Sequence, residues 1–143
     1  MPLPPYTRIK RGIWKALTDS IEIAALLPDS DDGAAQGVYF QQVDEDATPP
    51  YIIFSKTSGT SSYTLGKGEG PHNALWNIRA VADDPDVAEE IDAAIQAALA
   101  GTELVASPVR TLYLQRDSDL DYGEPDNGIL WHHVGGLYRL ITQ

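Results

Sequence analysis

Apolar residues recur at helical spacing in two stretches of the chain. The first runs from Arg8 to Leu27, where Asp19 followed by Glu22 predicts an N-cap pair that restarts the helix after a kink. The second begins at Asp84-Pro85, because aspartate suits an N-cap and proline suits the first helical position. Its stripe ends before Gly101, a residue typical of a C-terminal cap. The predicted core-facing residues of the first stretch are Ile13, Leu17, Ile21 and Ala24, and those of the second are Val87, Ile91, Ala94, Ile95, Ala98 and Leu99.

Shorter runs rich in aromatic and β-branched residues predict strands. Glycine and serine fill the stretch Gly59–Gly70, and acidic residues fill Asp117–Asn127, so both are interpreted as long loops. Gly135-Gly136 predicts a bulge or bend inside the last strand. The predicted strands are Val38–Val43, Tyr51–Ser58, Leu75–Ala82, Val109–Arg116 and Gly128 to about Ile141.

The order of these elements favours an α+β fold. We expect a single, mostly antiparallel (mixed) β-sheet of about five strands packed by two helices, with long projecting hairpins or loops. The length of 143 residues suits one domain, here residues 8–142 after a proline-rich leader at residues 1–7.

Charge narrows the classes of function. Twenty-one acidic residues against ten lysines and arginines give a formal charge of −11. Affinity for nucleic acid or for anionic membranes rests on clustered cations, so tight binding to either is disfavoured. The chain has no cysteine, which excludes thiolate zinc sites and cysteine nucleophiles.

Catalytic and metal motifs are incomplete. Around Gly66-Lys67, a phosphate loop would need glycine where Ser61 stands and a hydroxyl residue where Gly68 stands, so a flexible hairpin tip is the favoured interpretation. The alternating aspartates after residue 116 lack the glycine and glutamate of a calcium loop. Adjacent His132 and His133 would point to opposite faces of a strand and could not share one metal. We therefore predict no catalytic residues, no cofactor and no metal, and an enzyme is the minority interpretation.

Several short sequence segments occur in an order that is typical of a known protein family. The helix containing Ile13-Trp14-Lys15-Ala16-Leu17 is followed by Thr48-Pro49-Pro50-Tyr51-Ile52-Ile53-Phe54. The alternating strand Trp76-Asn77-Ile78-Arg79-Ala80 and the helix from Asp86 to Leu99 come next. Over residues 10–142 this pattern resembles the tail terminator (tail completion, or tail-to-head joining) proteins of long-tailed bacteriophages. The leader at residues 2–6 and the long acidic loop depart from the family pattern.

The resemblance implies a structural virion protein at the head-proximal end of the tail, assembled in the host bacterial cytoplasm. Such proteins form a ring, typically a hexamer, that stops growth of the tail tube and mediates head–tail joining. The implied partners are other copies of the chain, the tail tube protein and a neck or head-completion protein, with DNA only as cargo in the lumen and no membrane. The alternatives are a neck or head-completion adaptor and, less favoured, a small bacterial ligand-binding domain or enzyme.

Six residues are candidates for subunit or tube contacts. Four lie on the polar hairpin, where they could reach a neighbouring subunit or the tube: Ser62, Tyr63, Lys67 and Glu69. Arg79 and Arg116 are expected to face away from the apolar side of their strands, where they could pair with a neighbour's carboxylates. A solvated surface position explains each arginine at least as well.

Overall fold

The computed structural model describes residues 5–27, 36–43, 47–63 and 69–143. Helices and strands follow one another as α1 (Pro5–Thr18), α2 (Ile21–Leu26), β1 (Val38–Phe40), β2 (Tyr51–Tyr63), β3 (Glu69–Ala82), α3 (Pro85–Leu99), β4 (Thr111–Asp126) and β5 (Ile129–Thr142). The strands form one five-stranded sheet in the order β1-β2-β3-β5-β4. β1 pairs in parallel with β2, and all other neighbours are antiparallel. This mixed, mostly antiparallel sheet confirms the predicted α+β class.

The predicted kinked helix is two separate helices. Ser20, and not Asp19, is the N-cap of α2, and its hydroxyl accepts a hydrogen bond from the Ile23 amide at 3.3 Å. Asp19 instead forms an exposed ion pair with Lys15 at 2.7 Å. The break changes the phase of the apolar stripe, so Ile23 is buried and the expected core residue Ile21 is 86% exposed.

Helix α3 begins and ends as its sequence predicts. The Asp84 carboxylate accepts a hydrogen bond from the Asp86 amide at 2.9 Å, and Pro85 occupies the first turn. Gly101 has a φ of +70°, which glycine adopts without strain. The buried stripe of α3 packs against one side of the sheet, here called the helix face. The shared core includes Ile91, Ile95, Leu99, Trp76, Ile78, Tyr138 and Leu140.

The strands are longer than the apolar pattern predicts. β2 and β3 extend through most of Gly59–Gly70, and β4 extends through the acidic stretch to Asp126. The expected loops are therefore largely hairpin arms, because backbone pairing continues where the sequence has little apolar surface to bury. β1, in contrast, ends at Phe40, three residues before the predicted end.

Where β4 pairs with β5, the register shifts lie in β4 and not at the glycines of β5. Gly135 and Gly136 pair with consecutive residues of both neighbouring strands, so the predicted bulge there is wrong. One shift falls between Arg116 and Ser118. Another falls between Thr111 and Tyr113, and Leu112 between them is 47% exposed.

The two long hairpins leave the sheet at opposite ends. His72 and Thr111 both pair with Thr142, and the β2–β3 hairpin continues beyond this end. Ala82 and Gly123 both pair with His132, and the β4–β5 hairpin continues beyond that end. We call these the Thr142 end and the His132 end of the sheet. One chain thus presents two different projecting surfaces.

Candidate functional site

The β2–β3 hairpin contains four of the six candidate contact residues. Ser62 and Tyr63 lie in β2, and Glu69, the first residue of β3, is the register partner of Tyr63. Lys67 lies outside the described residues. A register shift between Lys56 and Ser58 marks where the hairpin begins to project, and residues 57–60 are exposed. The fold therefore brings Tyr63 and Glu69 together, and their role in contacts stays a prediction.

Arg79 lies on the outer face, the side of the sheet opposite the helices, as its strand pattern predicts. Its Nε donates a hydrogen bond to Nδ1 of His133 at 3.0 Å, and its Nη1 donates to Oδ1 of Asn77 at 3.1 Å. His133 is buried, and its Nε2 lies 2.8 Å from the Glu124 carboxylate. An imidazole that accepts at Nδ1 and donates at Nε2 is neutral, and both ring nitrogens are then satisfied.

Electrostatics agree with a neutral His133. Burial, followed by the nearby Arg79 guanidinium, lowers the pKa of His133, and the bond to Glu124 opposes this only in part. Tyr122 stacks on the His133 ring with centroids 4.5 Å apart and planes 8° from parallel. Burial, followed by the charge of Glu124, also raises the pKa of the neighbouring Tyr51. Arg79, His133, Glu124 and Tyr122 thus form an outer-face cluster whose side chains contact one another.

This outer-face cluster was not predicted from the sequence. The alternation of strand residues does place His132 and His133 on opposite faces. However, Arg79 and His133 are 54 residues apart, and the histidine and Glu124 meet only because β4 pairs with β5. A histidine beside alternating apolar residues was the available signal, and it does not specify a partner.

Arg116 has the opposite orientation to the predicted one. Its guanidinium lies on the helix face, where it is hydrogen-bonded to the Asp92 carboxylate of α3 and to Oε1 of Gln96 at 3.1 Å. The guanidinium carbon lies 5.4 Å from the ring centre of Tyr138. The prediction was wrong because Arg116 follows Leu114 by two residues and therefore shares its face. Its charge is neutralised by its own chain.

The outer part of the β4–β5 hairpin is exposed. Residues 121–130 are all exposed, and the turn is formed by Asn127 and Gly128 with φ of 51° and 80°. Two consecutive positive φ values are typical of a tight hairpin turn that matches strand twist. Apolar Ile129 and Leu130 are 45% and 49% exposed beside this turn. These apolar side chains on a projecting hairpin are available for contact with a partner.

Comparison with known proteins identifies the family to which this architecture belongs. Residues 11–142 match the family described as "Tail completion protein gp17". The chain belongs to this family. The match spans nearly the whole sequence. It confirms the resemblance that rests on the order of the predicted helix and strand segments. This tail completion protein is a structural component of the virion, with a role in the tail or in head–tail joining.

A solved structure has the same fold. A chain from the "Virion of native gene transfer agent (GTA) particle" superposes with a TM-score of 0.71 and 17% sequence identity. The superposition covers 99% of the tail completion protein and 98% of that chain. At this identity the likeness establishes the shared fold. A search among curated protein sequences found no match.

Within the described residues of the tail completion protein, no group of three or more histidine, aspartate or glutamate side chains is placed to hold a metal ion. No described helix is both long and apolar enough to cross a membrane. One surface depression, between α1 and the segment before β4, is lined by Arg8, Arg11, Val105, Ala106 and Ser107.

Proposed function

We propose that this tail completion protein forms a ring, most simply a hexamer, on the head-proximal end of the tail tube. The ring stops tube growth and offers its other side to a neck or head-completion protein. One observation carries the proposal: the two hairpins leave opposite ends of the sheet. A closed ring that joins two assemblies needs several different surfaces on each subunit, and this architecture supplies them.

The role is binding and not catalysis. His133 is hydrogen-bonded to Arg79 and Glu124, and Arg116 is ion-paired with Asp92. These side chains instead connect strands with one another or with α3, which supports a rigid contact scaffold.

The acidic charge supports a passage for DNA. Six copies would carry a formal charge of −66, since each chain carries −11. A lumen lined by part of these acids would repel the phosphate backbone, so DNA would slide and not be held. Retention of DNA by assembled rings measures this directly. Tight retention at moderate salt would exclude an acidic lumen.

The β2–β3 hairpin is proposed to contact a neighbouring subunit or the tube through Ser62, Tyr63, Lys67 and Glu69. Ser61 pairs with His72, so residues 62–71 can be replaced by Asn-Gly, which closes a two-residue hairpin turn between them. The shortened protein should keep its thermal unfolding transition and lose tube capping. Capping that survives would show that the hairpin is not the contact.

Negative-stain microscopy of the protein with purified tail tubes from its own phage tests the whole proposal. Rings seated on one tube end, with no further tube growth, are expected. Bare tube ends at saturating protein, together with binding to isolated heads, would favour the alternative of a neck or head-completion adaptor. A variant with the same composition but a shuffled β2–β3 tip is the matched control, because it preserves net charge.

A further inference from the structure

Four of the ten lysines and arginines of this acidic protein lie on one helix. α1 contains two lysines and two arginines and no acidic residue. Arg11 is exposed, and an Arg8 guanidinium nitrogen donates a hydrogen bond to the carbonyl oxygen of Ser107. Val105, beside them in the same surface depression, is 69% exposed. Together these residues form a surface, here called the α1 surface, that is both basic and apolar.

The α1 surface lies toward the Thr142 end of the sheet. The segment that carries Val105 leads into β4, and Arg110 forms two backbone hydrogen bonds with Gln143. Gly12 allows α1 to pack closely against this segment, because a Cβ at this position would lie only 3.2 Å from Leu104 Cβ. The basic surface is thereby placed beside the start of β4.

The far end of β4, in the β4–β5 hairpin, is acidic and apolar, and it is therefore complementary in charge to the basic α1 surface. From Asp117 to Leu130 there are five acidic residues and no lysine or arginine. Tyr122, Ile129 and Leu130 are each 44–49% exposed among these acids. Apolar side chains surrounded by carboxylates match a partner surface with an apolar centre and arginines around it.

The two surfaces cannot meet within one chain. β4 has 16 residues and separates them, and at a rise near 3.3 Å per residue it is roughly 50 Å long. A second copy, in contrast, can place its α1 surface against the hairpin end of the first. Two different patches on each subunit give a head-to-tail contact, which closes into a ring when the rotation allows it.

We propose that the exposed end of the β4–β5 hairpin of one copy docks on the α1 surface of the next copy. Ile129 contacts Val105, and the carboxylates of Asp126 and Glu124, which share the face of Ile129, pair with Arg11. The inference rests on the proposed ring and specifies its subunit interface. The Asp126–Arg11 pair is solvent-exposed, so it sets orientation, while the apolar contact supplies most of the affinity.

Cysteine trapping tests the contact, because the chain has no cysteine of its own. Val105→Cys and Ile129→Cys proteins of different mass are mixed at low salt, oxidised and separated without reductant. The mixed disulfide dimer is expected to exceed that from Ile21→Cys with Ile129→Cys by about tenfold, since docking raises the effective concentration of the thiols. Ile21 is 86% exposed on α2, which makes it a matched control.

Exchanging the charges of Arg11 and Asp126 distinguishes disulfides formed by specific docking from disulfides formed by random collision. Arg11→Glu alone and Asp126→Arg alone should each lower the trapped yield roughly fivefold, and mixing the two variants should restore it. Thermal unfolding confirms that both variants fold, because both positions are exposed. Trapping is repeated on tail tubes, where a ring is templated. If Val105 and Ile129 are not trapped preferentially in either setting, the inference fails; if the unmodified protein still caps tubes, the proposed function stands.

Discussion

The guanidinium of Arg116 on β4 is bonded to the carboxylate of Asp92 on α3, with Nη1 3.1 Å from Oδ2 and a second bond between Nη2 and Oδ1. Both side chains are largely buried, at 11% and 14% exposure. The pair fastens the helix to the edge strand of the sheet. Gly136 makes room for it, because a Cβ there would collide with the Arg116 side chain.

Breaking this ion pair should destabilise the fold. Asp92→Asn removes the buried counter-charge of the guanidinium and leaves only the exposed Asp119 carboxylate 3.6 Å away, and we expect a loss of roughly 3 kcal/mol in the free energy of unfolding. Urea titration followed by tryptophan fluorescence measures it. The double change Asp92→Leu with Arg116→Met should lose much less, because no buried charge remains unpaired. Equal losses in the single and double variants would contradict the role given to the pair.

Gly135 should not tolerate a side chain. A Cβ at this position would lie 2.5 Å from Arg79 Cα, which is backbone and cannot move aside. We expect Gly135→Ala to cost about 3 kcal/mol or to prevent folding. In Gly123→Ala the new methyl group meets only the flexible end of Leu130, so this control should stay within about 1 kcal/mol of the parent. Thermal unfolding of the two proteins makes the comparison.

Stability should decrease on acidification because of His133. Burial lowers the pKa of His133 in the folded protein below its usual 6.5, so the unfolded chain binds the proton first as the pH falls. The contribution is therefore complete above pH 6.5 and is lost as the pH falls through the lowered pKa. His133→Gln should flatten the pH dependence of the melting temperature in this range, and His132→Gln should not. Identical slopes for both variants would exclude His133 as the cause.

Ser20 and Asp19, neighbours at the start of α2, should contribute differently to stability. Ser20→Ala removes the hydroxyl that accepts from the Ile23 amide and should cost about 1 kcal/mol. Asp19→Ala removes an exposed ion pair with Lys15 and should cost less than about 0.5 kcal/mol. Guanidinium denaturation of the two variants gives the order. A larger loss at Asp19 would restore the cap predicted from the sequence.

Local rules were sufficient where a residue's neighbours in the chain decide its structure. Asp84, Pro85 and Gly101 mark the limits of α3, because capping involves groups only a few residues apart. Alternation likewise placed Trp76 and Ile78 in the core, since side chains of a strand point to opposite faces in turn. The class of fold and the family follow from this level.

The length of the strands and the partners of their polar side chains depend on contacts between residues far apart in the sequence. Asp117–Asp126 contains too little buried apolar surface to signal a strand, yet backbone hydrogen bonds with β5 extend β4 to the turn. The partners of Arg116 and His133 come from residues 24 and 54 positions away, respectively. The opposite placement of the basic α1 surface and the acidic hairpin also depends on register. The sequence by itself determined the helical stretches and the apolar part of each strand, and only the long-range pairing of strands decided how far the strands extend and which surfaces they present.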